Sequence, residues 1–534
     1  MRDLGSWDYV IVGAGSAGCV LANRLSENPN NKVLLLEAGK DDNYIWVHIP
    51  VGYLYCMGNP RTDWGFNTAP DPGLNGRSLM YPRGKVLGGC SSINGMIYMR
   101  GQARDYDGWR QMGLTGWGWG DVLPHFLKSE DHYAWSNDLH AQGGELRVEE
   151  QRLSWDILDR FREACVEVGI PKVQDFNGGD NFGSSYFQVT QRGGARVSTA
   201  KAFLKPAKNR PNLTILTEAQ ASRILVHEGK ASGLELKVKG EACKLEVDGE
   251  LVLAAGAIGS PQLLELSGIG DPEILGQVGL ETILASRQIG KNLQDHLQLR
   301  TIFKVTGAKT LNQMAGSLFG KALIGLEYLL KRSGPMSMAP SQLGVFAKSD
   351  QSFETANVEF HVQPLSLDKF GDPLHDFPAI TASVCNLRPE SRGHCHIRST
   401  DETQQPEILA NYLSTEGDRK VAADSIRLAR RILAAPALSM HQPEEYLPGS
   451  DLVSDEDLAT AAGNIGTTIF HPVGTCRMGM DDHAVVDERL RLKGLDGLRV
   501  IDASVMPTIT SGNTNAPTIM IAEKGAAMML EDGR

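Results

Sequence analysis

The 534-residue sequence lacks the features that mark several protein classes. Its eight cysteines are dispersed without a C-x-x-C pair, so we expect neither a disulfide framework nor a structural zinc site. It has no low-complexity tract and no short repeat, which excludes a fibrous or disordered chain. The formal net charge of -11, with scattered basic residues, gives no electrostatic footprint for nucleic acid. With these protein classes disfavoured, we expect the protein to act on a small molecule.

Long hydrophobic runs are also missing. The most apolar long stretch, 317–330, is interrupted by Lys321 and Glu327 and is too short to span a bilayer. We interpret it as a half-buried domain helix; an amphipathic surface helix with peripheral membrane contact, or a substrate lid, stays an alternative. The first strand begins within about ten residues of Met1, which leaves no room for a secretory signal. We expect a cytoplasmic protein, with membrane association on the cytoplasmic face left open.

The first forty residues carry the pattern of a dinucleotide-binding unit. An apolar run at 9–12 precedes the glycine fingerprint at 13–18, a helical stretch and a second apolar strand at 33–36 that ends at Glu37. A carboxylate there accepts hydrogen bonds from a ribose diol and repels a 2′-phosphate, so the predicted cofactor is FAD or NAD and not NADP. The fingerprint glycines allow a tight turn, close approach to a pyrophosphate and close helix packing. The cofactor-binding residues predicted from this unit are Gly13, Gly15, Ser16, Ala17, Gly18, Glu37 and Ala38.

Similar segments recur downstream. Residues 251–266 read as a strand, a small-residue turn and a helix, closed by the glycines of 267–270. Residues 213–217 and 233–238 alternate like strands, and 498–502 is a short apolar strand that stops at a carboxylate. Segments typical of a cofactor domain thus occur at the start, the middle and the end of the chain, so the regions between them are expected to form an inserted domain.

Three further segments are rich in glycine, hydroxyl and amide residues. The loop 83–96 can lay main-chain N–H groups along a flat, electron-rich ring. The others are 256–270 and the C-terminal pair 470–479 and 511–518. Together with the N-terminal fingerprint they resemble the glucose-methanol-choline oxidoreductases, flavoproteins that oxidise alcohols, along the whole chain. The start, Trp7-Asp8-Tyr9-Val10, is similar to that of the family's bacterial choline and aliphatic-alcohol dehydrogenases.

This resemblance implies an α/β fold, α+β overall. A Rossmann-like FAD-binding domain would contain residues 1–155, 213–296 and 466–534. A substrate-binding domain, built on an antiparallel sheet covered by helices, would contain 156–212 and 297–465. FAD would lie across the first domain, with flavin N5 as the hydride acceptor.

Two residues of the C-terminal motifs are the predicted catalytic pair, His471 and Asn513. An imidazole can take the hydroxyl proton of an alcohol near neutral pH. Asn513 matches the family's second active-site position, occupied by His or Asn, and a neutral amide can position an oxygen but cannot take a proton. The base role therefore falls to His471.

The resemblance also assigns cofactor-binding residues. Ile93 stands where some relatives carry a histidine bonded to the flavin, so FAD is expected to be non-covalent. The segment 291–296 resembles one that joins the two domains in the family, but a capped turn explains it equally well. The additional cofactor-binding residues are Arg83, Gly88, Gly89, Ser91, Asn94, Gly95, Ala221, Asp502, Ala503, Asn515 and Thr518.

The predicted reaction is FAD-dependent oxidation of a primary alcohol to the aldehyde. An aliphatic or aromatic alcohol is preferred, and choline stays open, because a cation cage assembles only in three dimensions. A lyase of the same family that cleaves cyanohydrins and a nicotinamide-dependent dehydrogenase are the alternatives. The electron acceptor is left as a quinone, oxygen or a protein. No metal site is predicted, since His394 and His396 lack a third ligand at suitable spacing.

Overall fold

The computed structural model describes residues 1–369 and 371–533, and its strands form two large sheets. Residue 534, the last of the predicted FAD-binding domain, lies outside this range. The strands of the two large sheets are, in chain order, β1 Arg2–Val12, β2 Val33–Leu36, β3 Gly183–Tyr186, β4 Leu213–Leu216, β5 Ala219–His227, β6 Lys230–Val238, β7 Glu241–Leu253, β8 Leu297–Lys304, β9 Leu343–Ala347, β10 Val358–Gln363, β11 Ala379–Asn386, β12 Glu444–Leu447, β13 Gly466–Thr468 and β14 Leu498–Val500.

Helices cover these sheets. The α-helices of nine or more residues are α1 Ser16–Leu25, α2 Ala103–Gln111, α3 Trp119–Ser129, α4 Asp156–Glu167, α5 Gly256–Leu266, α6 Leu318–Lys331, α7 Glu416–Leu433, α8 Asp455–Ile465 and α9 Asn515–Asp532. Shorter strands at Lys291–Leu293, Gly393–His396 and Glu407–Leu409 form a separate antiparallel sheet.

In the first sheet, the fingerprint turn connects β1 to α1, and α1 packs on the sheet. Its order is β4-β2-β1-β7-β6-β5 with β14 beside β7; β1, β2, β4, β7 and β14 run parallel, and β5 and β6 are antiparallel. Val10 and Ile11 are fully buried, as expected for a parallel strand covered on both faces. A Cβ at Gly18 would overlap the carbonyl oxygen of Gly13, so only glycine lets α1 pack this closely.

The second sheet is antiparallel, with the order β12-β8-β11-β10-β9-β3 and β13 beside β8. Alternate residues point to opposite faces of a strand. Leu299, Phe360 and Val384 belong to an apolar core on one face, which helices α4 and α7 share. The other face therefore carries the polar residues between them, such as Arg300 and His361.

The fold class predicted from the sequence is confirmed as mixed α/β, with a largely parallel sheet and an antiparallel one. The predicted domain bounds remain a prediction. Strand β13 pairs with β8 in the second sheet although its residues were assigned to the FAD-binding domain. The helical turn Ala200–Leu204 contacts α1 although it was assigned to the substrate domain.

Helix α6 differs from its sequence interpretation. Its apolar side chains point outward: Leu318 is 86% exposed, Phe319 73% and Leu330 74%. The half-buried helix expected from the sequence is therefore wrong, and the surface-helix alternative describes α6 better. No helix within residues 1–369 and 371–533 has both the length and the apolar composition that crossing a bilayer requires.

Candidate active site

A cavity of about 320 Å³ lies between the two sheets. On one side it reaches the carboxyl ends of β1 and β2 at Val12 and Leu36; on the other it reaches Arg300 and His361 of the second sheet. The carboxyl ends of parallel strands are where open α/β sheets bind their ligands.

At the end near the first sheet, helix N-termini converge on the cavity. Ser16 begins α1, Gly256 begins α5 and Asn515 begins α9, and all three line it. Unpaired N–H groups and the helix dipole favour anions at such ends. The Ser16 hydroxyl donates to Asn515 Oδ1 at 2.8 Å, which joins the first and the last helix at this point.

The loop after Arg83 packs directly on the fingerprint. Gly88 N–H donates to the Ala14 carbonyl at 2.8 Å, and a Cβ on Gly89 would lie 2.6 Å from Gly15 Cα. By contrast, a Cβ on Gly15 would meet nothing closer than 3.9 Å. The open space beside Gly15 and the surrounding helix ends therefore fit the pyrophosphate of a dinucleotide.

Two carboxyl groups at this end are held by donors of the chain. Glu37 accepts from the N–H groups of Ala14 at 3.1 Å and Gly39 at 2.8 Å, while burial raises its pKa to about 7. Asp502 accepts from Gly256 N–H and from two serine hydroxyls, and burial raises its pKa as well. Both side chains line the cavity.

At the other end, His471 lies between two polar side chains. Its Nδ1 is 3.1 Å from Nδ1 of His296, and its Nε2 is 3.1 Å from Nδ2 of Asn513. Asn513 Oδ1 is buried and has no hydrogen-bond partner in the described part of the chain. His471 and Asn513 both line the cavity, so this unpaired acceptor belongs to a residue of its wall.

The hydrogen-bond partners fix the protonation of both rings. His296 Nε2 lies 3.2 Å from the Leu387 carbonyl, which can only accept, so this nitrogen carries the hydrogen. Burial lowers the pKa of His296, so the ring is neutral and its Nδ1 accepts. His471 Nδ1 must then donate, and a neutral His471 presents the lone pair of Nε2 to Asn513 and to the cavity.

The pKa of His471 favours this neutral state. Burial lowers it well below the ordinary value of 6.5, and the neighbouring His296, His361 and Arg83 lower it further. A neutral imidazole with an exposed lone pair can accept a proton. The arrangement is therefore chemically that of a general base.

A buried carboxylate holds the His471 backbone in place. Asp295 Oδ1 accepts from the main-chain N–H of His471 at 2.8 Å, and Oδ2 accepts from the hydroxyls of Tyr81, Tyr412 and Thr468. Phe470, the residue before His471, has a φ of 69°, which a non-glycine residue rarely adopts. Arg83 donates to the Phe470 carbonyl at 2.7 Å and helps to hold this conformation.

The structure brings most of the predicted site residues to one cavity. Ala221 lies on β5 at its edge, and Ile93 also contributes to its wall. Within the described residues, Gly18, Gly88 and Ser91 do not line it: Gly18 packs α1 on the sheet, and the Ser91 hydroxyl is bonded to Gly88 and Thr199. The predicted residues that line the cavity are Gly13, Gly15, Ser16, Ala17, Glu37, Ala38, Arg83, Gly89, Asn94, Gly95, Ala221, His471, Asp502, Ala503, Asn513, Asn515 and Thr518.

Other residues of the site were not predicted from the sequence. Asp295 and His296 lie in the segment 291–296, whose family likeness was the available signal, but the sequence could not choose between a segment that joins the two domains and a capped turn. The polar side chains of the second sheet, including Arg300 and His361, gave no signal, because only the sheet register brings them together.

Potential metal ligands occur beside the cavity. Ligating atoms of Glu359, His361 and Cys385 lie within 4.8 Å of one another. His394 and His396 are instead each paired with a glutamate, Glu407 and Glu265. The absence of a metal site stays a prediction. The eight cysteines are free thiols.

The chain is similar to known proteins over nearly its whole length. The sequence profile of the GMC oxidoreductase family matches residues 7–298 with its N-terminal part and 389–522 with its C-terminal part. An alcohol dehydrogenase [acceptor] of Pseudomonas putida is 40% identical over 528 residues, covering 98% of this chain and 96% of that protein. An oxygen-dependent choline dehydrogenase of Photobacterium profundum is 39% identical over 531 residues, covering 98% and 93%. The crystal structure of pyridoxine 4-oxidase from Mesorbium loti aligns with a TM-score of 0.89 at 31% identity, covering 98% of each chain.

Proposed function

The chain belongs to the GMC oxidoreductase family, and from this membership we propose that it oxidises a primary alcohol to the aldehyde with His471 as the general base. It is an FAD-dependent oxidoreductase that acts on CH–OH donors. The observation that carries the proposed role of His471 is its Nε2 lone pair, which the hydrogen bond to His296 directs toward Asn513 and the cavity.

The residues that would hold FAD follow from the shape of the cavity. The helix N-termini at Ser16 and Asn515 and the space beside Gly15 suit its pyrophosphate, and Glu37 suits the adenosine ribose. Ile93 is 2% exposed in the cavity wall and has no atom that could bond to a flavin, which supports non-covalent binding.

The proton step needs only side chains of this chain. A substrate hydroxyl that displaces Asn513 Nδ2 from His471 Nε2 can give its proton to the freed lone pair, while Asn513 Nδ2 then donates to the substrate oxygen. When bound, FAD supplies the two-electron acceptor for the hydride. The lowered pKa keeps His471 unprotonated before the substrate arrives.

The experiment is the visible spectrum of the FAD-loaded enzyme, recorded without oxygen before and after a panel of primary alcohols is added. We expect at least one alcohol to bleach the flavin, and His471→Ala to retain FAD but reduce the bleaching rate by ~100-fold or more. His394→Ala, a change outside the cavity, is the control and should leave the rate unchanged. Unchanged bleaching in His471→Ala would remove this residue from the base role.

The same experiment tests the other candidates. Choline belongs in the panel because of the Photobacterium relative. A lyase would turn over a cyanohydrin while its flavin stays oxidised. The bleached enzyme is then mixed with oxygen, a quinone or a redox protein. The oxidant that restores the flavin absorbance fastest would identify the acceptor class.

We also propose that α6 contacts a membrane surface. Its exposed apolar residues, such as Leu318, Phe319 and Leu330, lie beside Lys321 and Lys331, the composition of a helix that inserts shallowly into anionic lipid. The helix contacts the turn Pro335–Ser337, only a few residues before Pro340 in the cavity wall. A membrane contact there would place lipid near the substrate pocket, with the protein on the cytoplasmic face.

Flotation with phosphatidylcholine–phosphatidylglycerol vesicles tests this contact. We expect the wild-type enzyme to float, Phe319→Ser with Leu330→Ser to stay at the bottom, and Met440→Ser, an exposed residue on another element, to float like wild type. The membrane contact would be excluded if the wild-type enzyme did not float. It would also be excluded if the α6 substitutions only dissociated a dimer and left flotation unchanged.

A further inference from the structure

The polar face of the second sheet carries a row of side chains that leave several polar atoms without hydrogen bonds. Ser383 on β11 pairs in register with Arg300 on β8 and with His361 on β10, so the three lie side by side. Arg300 Nε and Nη2, Ser383 Oγ and both ring nitrogens of His361 are buried and form no hydrogen bond in residues 1–369 and 371–533, although His361 Nε2 lies at ion-pair distance from Glu359. Arg300 and His361 also line the cavity that contains His471.

A row of this kind destabilises the folded chain. Each buried polar group left without a hydrogen bond lowers the stability of the folded state, and folded proteins rarely leave several together. The sheet itself gains nothing from these groups, because its apolar core lies on the opposite face. A ligand that brings hydrogen-bond acceptors into the cavity would satisfy them.

The charge of the row is positive. Arg300 forms no ion pair within the described chain, where the carboxylates that line the cavity are Glu37, Glu402 and Asp502. All three are already engaged: Glu402 pairs with a lysine, and the other two accept main-chain N–H groups near the first sheet. Burial raises the pKa of Tyr53 in the cavity wall, and the positive charges of Arg300 and Arg196 oppose that rise.

Glu359 is the acid that could neutralise this row. Its Oε1 is 3.2 Å from Nε2 of His361, and it lies in the next register row, opposite Cys385. It is not among the described residues that line the cavity, whereas Arg300 is. A ligand in the cavity therefore meets the guanidinium.

On the basis of the proposed alcohol oxidation, we propose that Arg300 determines substrate specificity and that the alcohol carries a carboxylate, which pairs with this guanidinium. The planar guanidinium matches a carboxylate through two parallel hydrogen bonds. Ser383 and His361 extend the same row and can bond to further polar atoms of the substrate. Choline fits this wall poorly, because its quaternary ammonium would face Arg300.

A binding experiment with a compound that cannot react tests the subsite. Benzoate and its neutral analogue benzamide are titrated by calorimetry into the oxidised, FAD-loaded enzyme. We expect wild type to bind benzoate, and Arg300→Gln to bind it about tenfold or more weakly with benzamide binding unchanged. Arg300→Lys, which keeps the charge but loses the planar fork, should lie between them.

The controls separate recognition from folding. Arg104→Gln removes an exposed arginine that pairs with Glu354, and it should bind benzoate like wild type. Because Arg300→Gln removes two buried, unpaired nitrogens, its FAD content and thermal midpoint should equal or exceed those of wild type, whereas a purely structural arginine would lower both. Loss of FAD, equal benzoate binding in wild type and Arg300→Gln, or no benzoate binding by wild type would overturn the proposal.

Turnover separates this proposal from the proposed function. Wild type should oxidise 4-(hydroxymethyl)benzoate faster than benzyl alcohol, and Arg300→Gln should lose that preference. If no alcohol bleaches the flavin while benzoate binding still depends on Arg300, the alcohol oxidation fails and the anion subsite stands. If benzyl alcohol is oxidised and benzoate binding does not depend on Arg300, only the subsite fails.

Discussion

At the scale of single residues, the direction of each hydrogen bond around His471 matters more than its length. The chain from the Leu387 carbonyl through His296 to His471 has one consistent order of donors and acceptors, and it ends in a lone pair at the cavity. Two neutral histidines carry this order only because burial lowers the pKa of both. We therefore infer that His296 is a positioning residue, which acts on the proposed reaction through His471.

The first prediction concerns His296. Replacing it by leucine removes the acceptor for His471 Nδ1–H, so we expect flavin reduction by alcohol to slow by about 10- to 100-fold with FAD content unchanged. Glutamine can accept from His471 and donate to Leu387 in the same order, so His296→Gln should recover most of the rate. Equal rates in the two variants would show that the hydrogen bond between residue 296 and His471 does not affect the reduction rate.

The second prediction is the pH dependence of the base. Because the pKa of His471 is lowered, the residue is unprotonated at and above its ordinary value of 6.5, and the reduction rate should fall only at pH values well below that. The folded pKa lies below the unfolded one, so the stability contribution is full above about pH 6.5 and is lost as the pH falls through the folded pKa. Stopped-flow rates and thermal midpoints between about pH 8 and about pH 5 measure both effects. A rate that already declines above pH 6.5 would contradict the lowered pKa of His471.

At the scale of elements, the contact between the loop at Gly88 and the fingerprint turn shapes the cofactor end of the cavity. Gly89 has a φ of 52°, and a side chain there would collide with Gly15 Cα at 2.6 Å. The matched control is Gly193, which has a φ of 55° but has nothing within 4 Å of the point where a Cβ would lie. The two positions therefore share the backbone strain and differ in the collision.

The third prediction uses this pair. Gly193→Ala should cost about 1 kcal/mol from strain alone and retain FAD. Gly89→Ala should in addition push the loop away from the fingerprint, so we expect it to lose FAD during purification and to melt at a lower temperature. The absorbance ratio of flavin to protein and the melting curve measure the difference. If both variants keep the same FAD content, the contact between the two turns does not govern cofactor binding.

The sequence predicts elements well where the signal is local. The fingerprint turn, Gly18 against the sheet and the strand ending at Glu37 follow from spacing within about forty residues, and the structure has all of them. Helix α6 was misjudged because its apolar spacing indicates a helix with an apolar face but not whether that face points inward. The row of Arg300, Ser383 and His361 was out of reach, since three residues from distant strands become neighbours only through register.

At the scale of the whole molecule, helices from the first and the last part of the chain meet at the cofactor end of the cavity. Helices α1 and α9 pack together, and each contributes its N-terminus to the cofactor end. Arg24 of α1 bonds to Glu523 of α9 through both carboxylate oxygens, at 2.7 Å and 2.9 Å, and Glu523 is fully buried. Glu145 adds a second carboxylate to the same guanidinium.

The last prediction follows from this buried pair. Glu523→Ala leaves Arg24 buried with part of its hydrogen bonding lost, and breaking such a pair costs up to about 3–5 kcal/mol; the remaining bond to Glu145 keeps the loss below that limit. Glu241→Ala breaks an exposed pair with Arg2, in which both side chains are about 60% exposed, and should cost no more than about 1 kcal/mol. We therefore expect Glu523→Ala to lower the thermal midpoint well below that of Glu241→Ala. Because α1 and α9 both begin at the cavity, the same variant should release FAD faster on dilution, seen as a rise in free flavin fluorescence. Equal midpoints and equal release rates in the two variants would mean that the sheet, and not this pair of helices, holds the cofactor end of the cavity together.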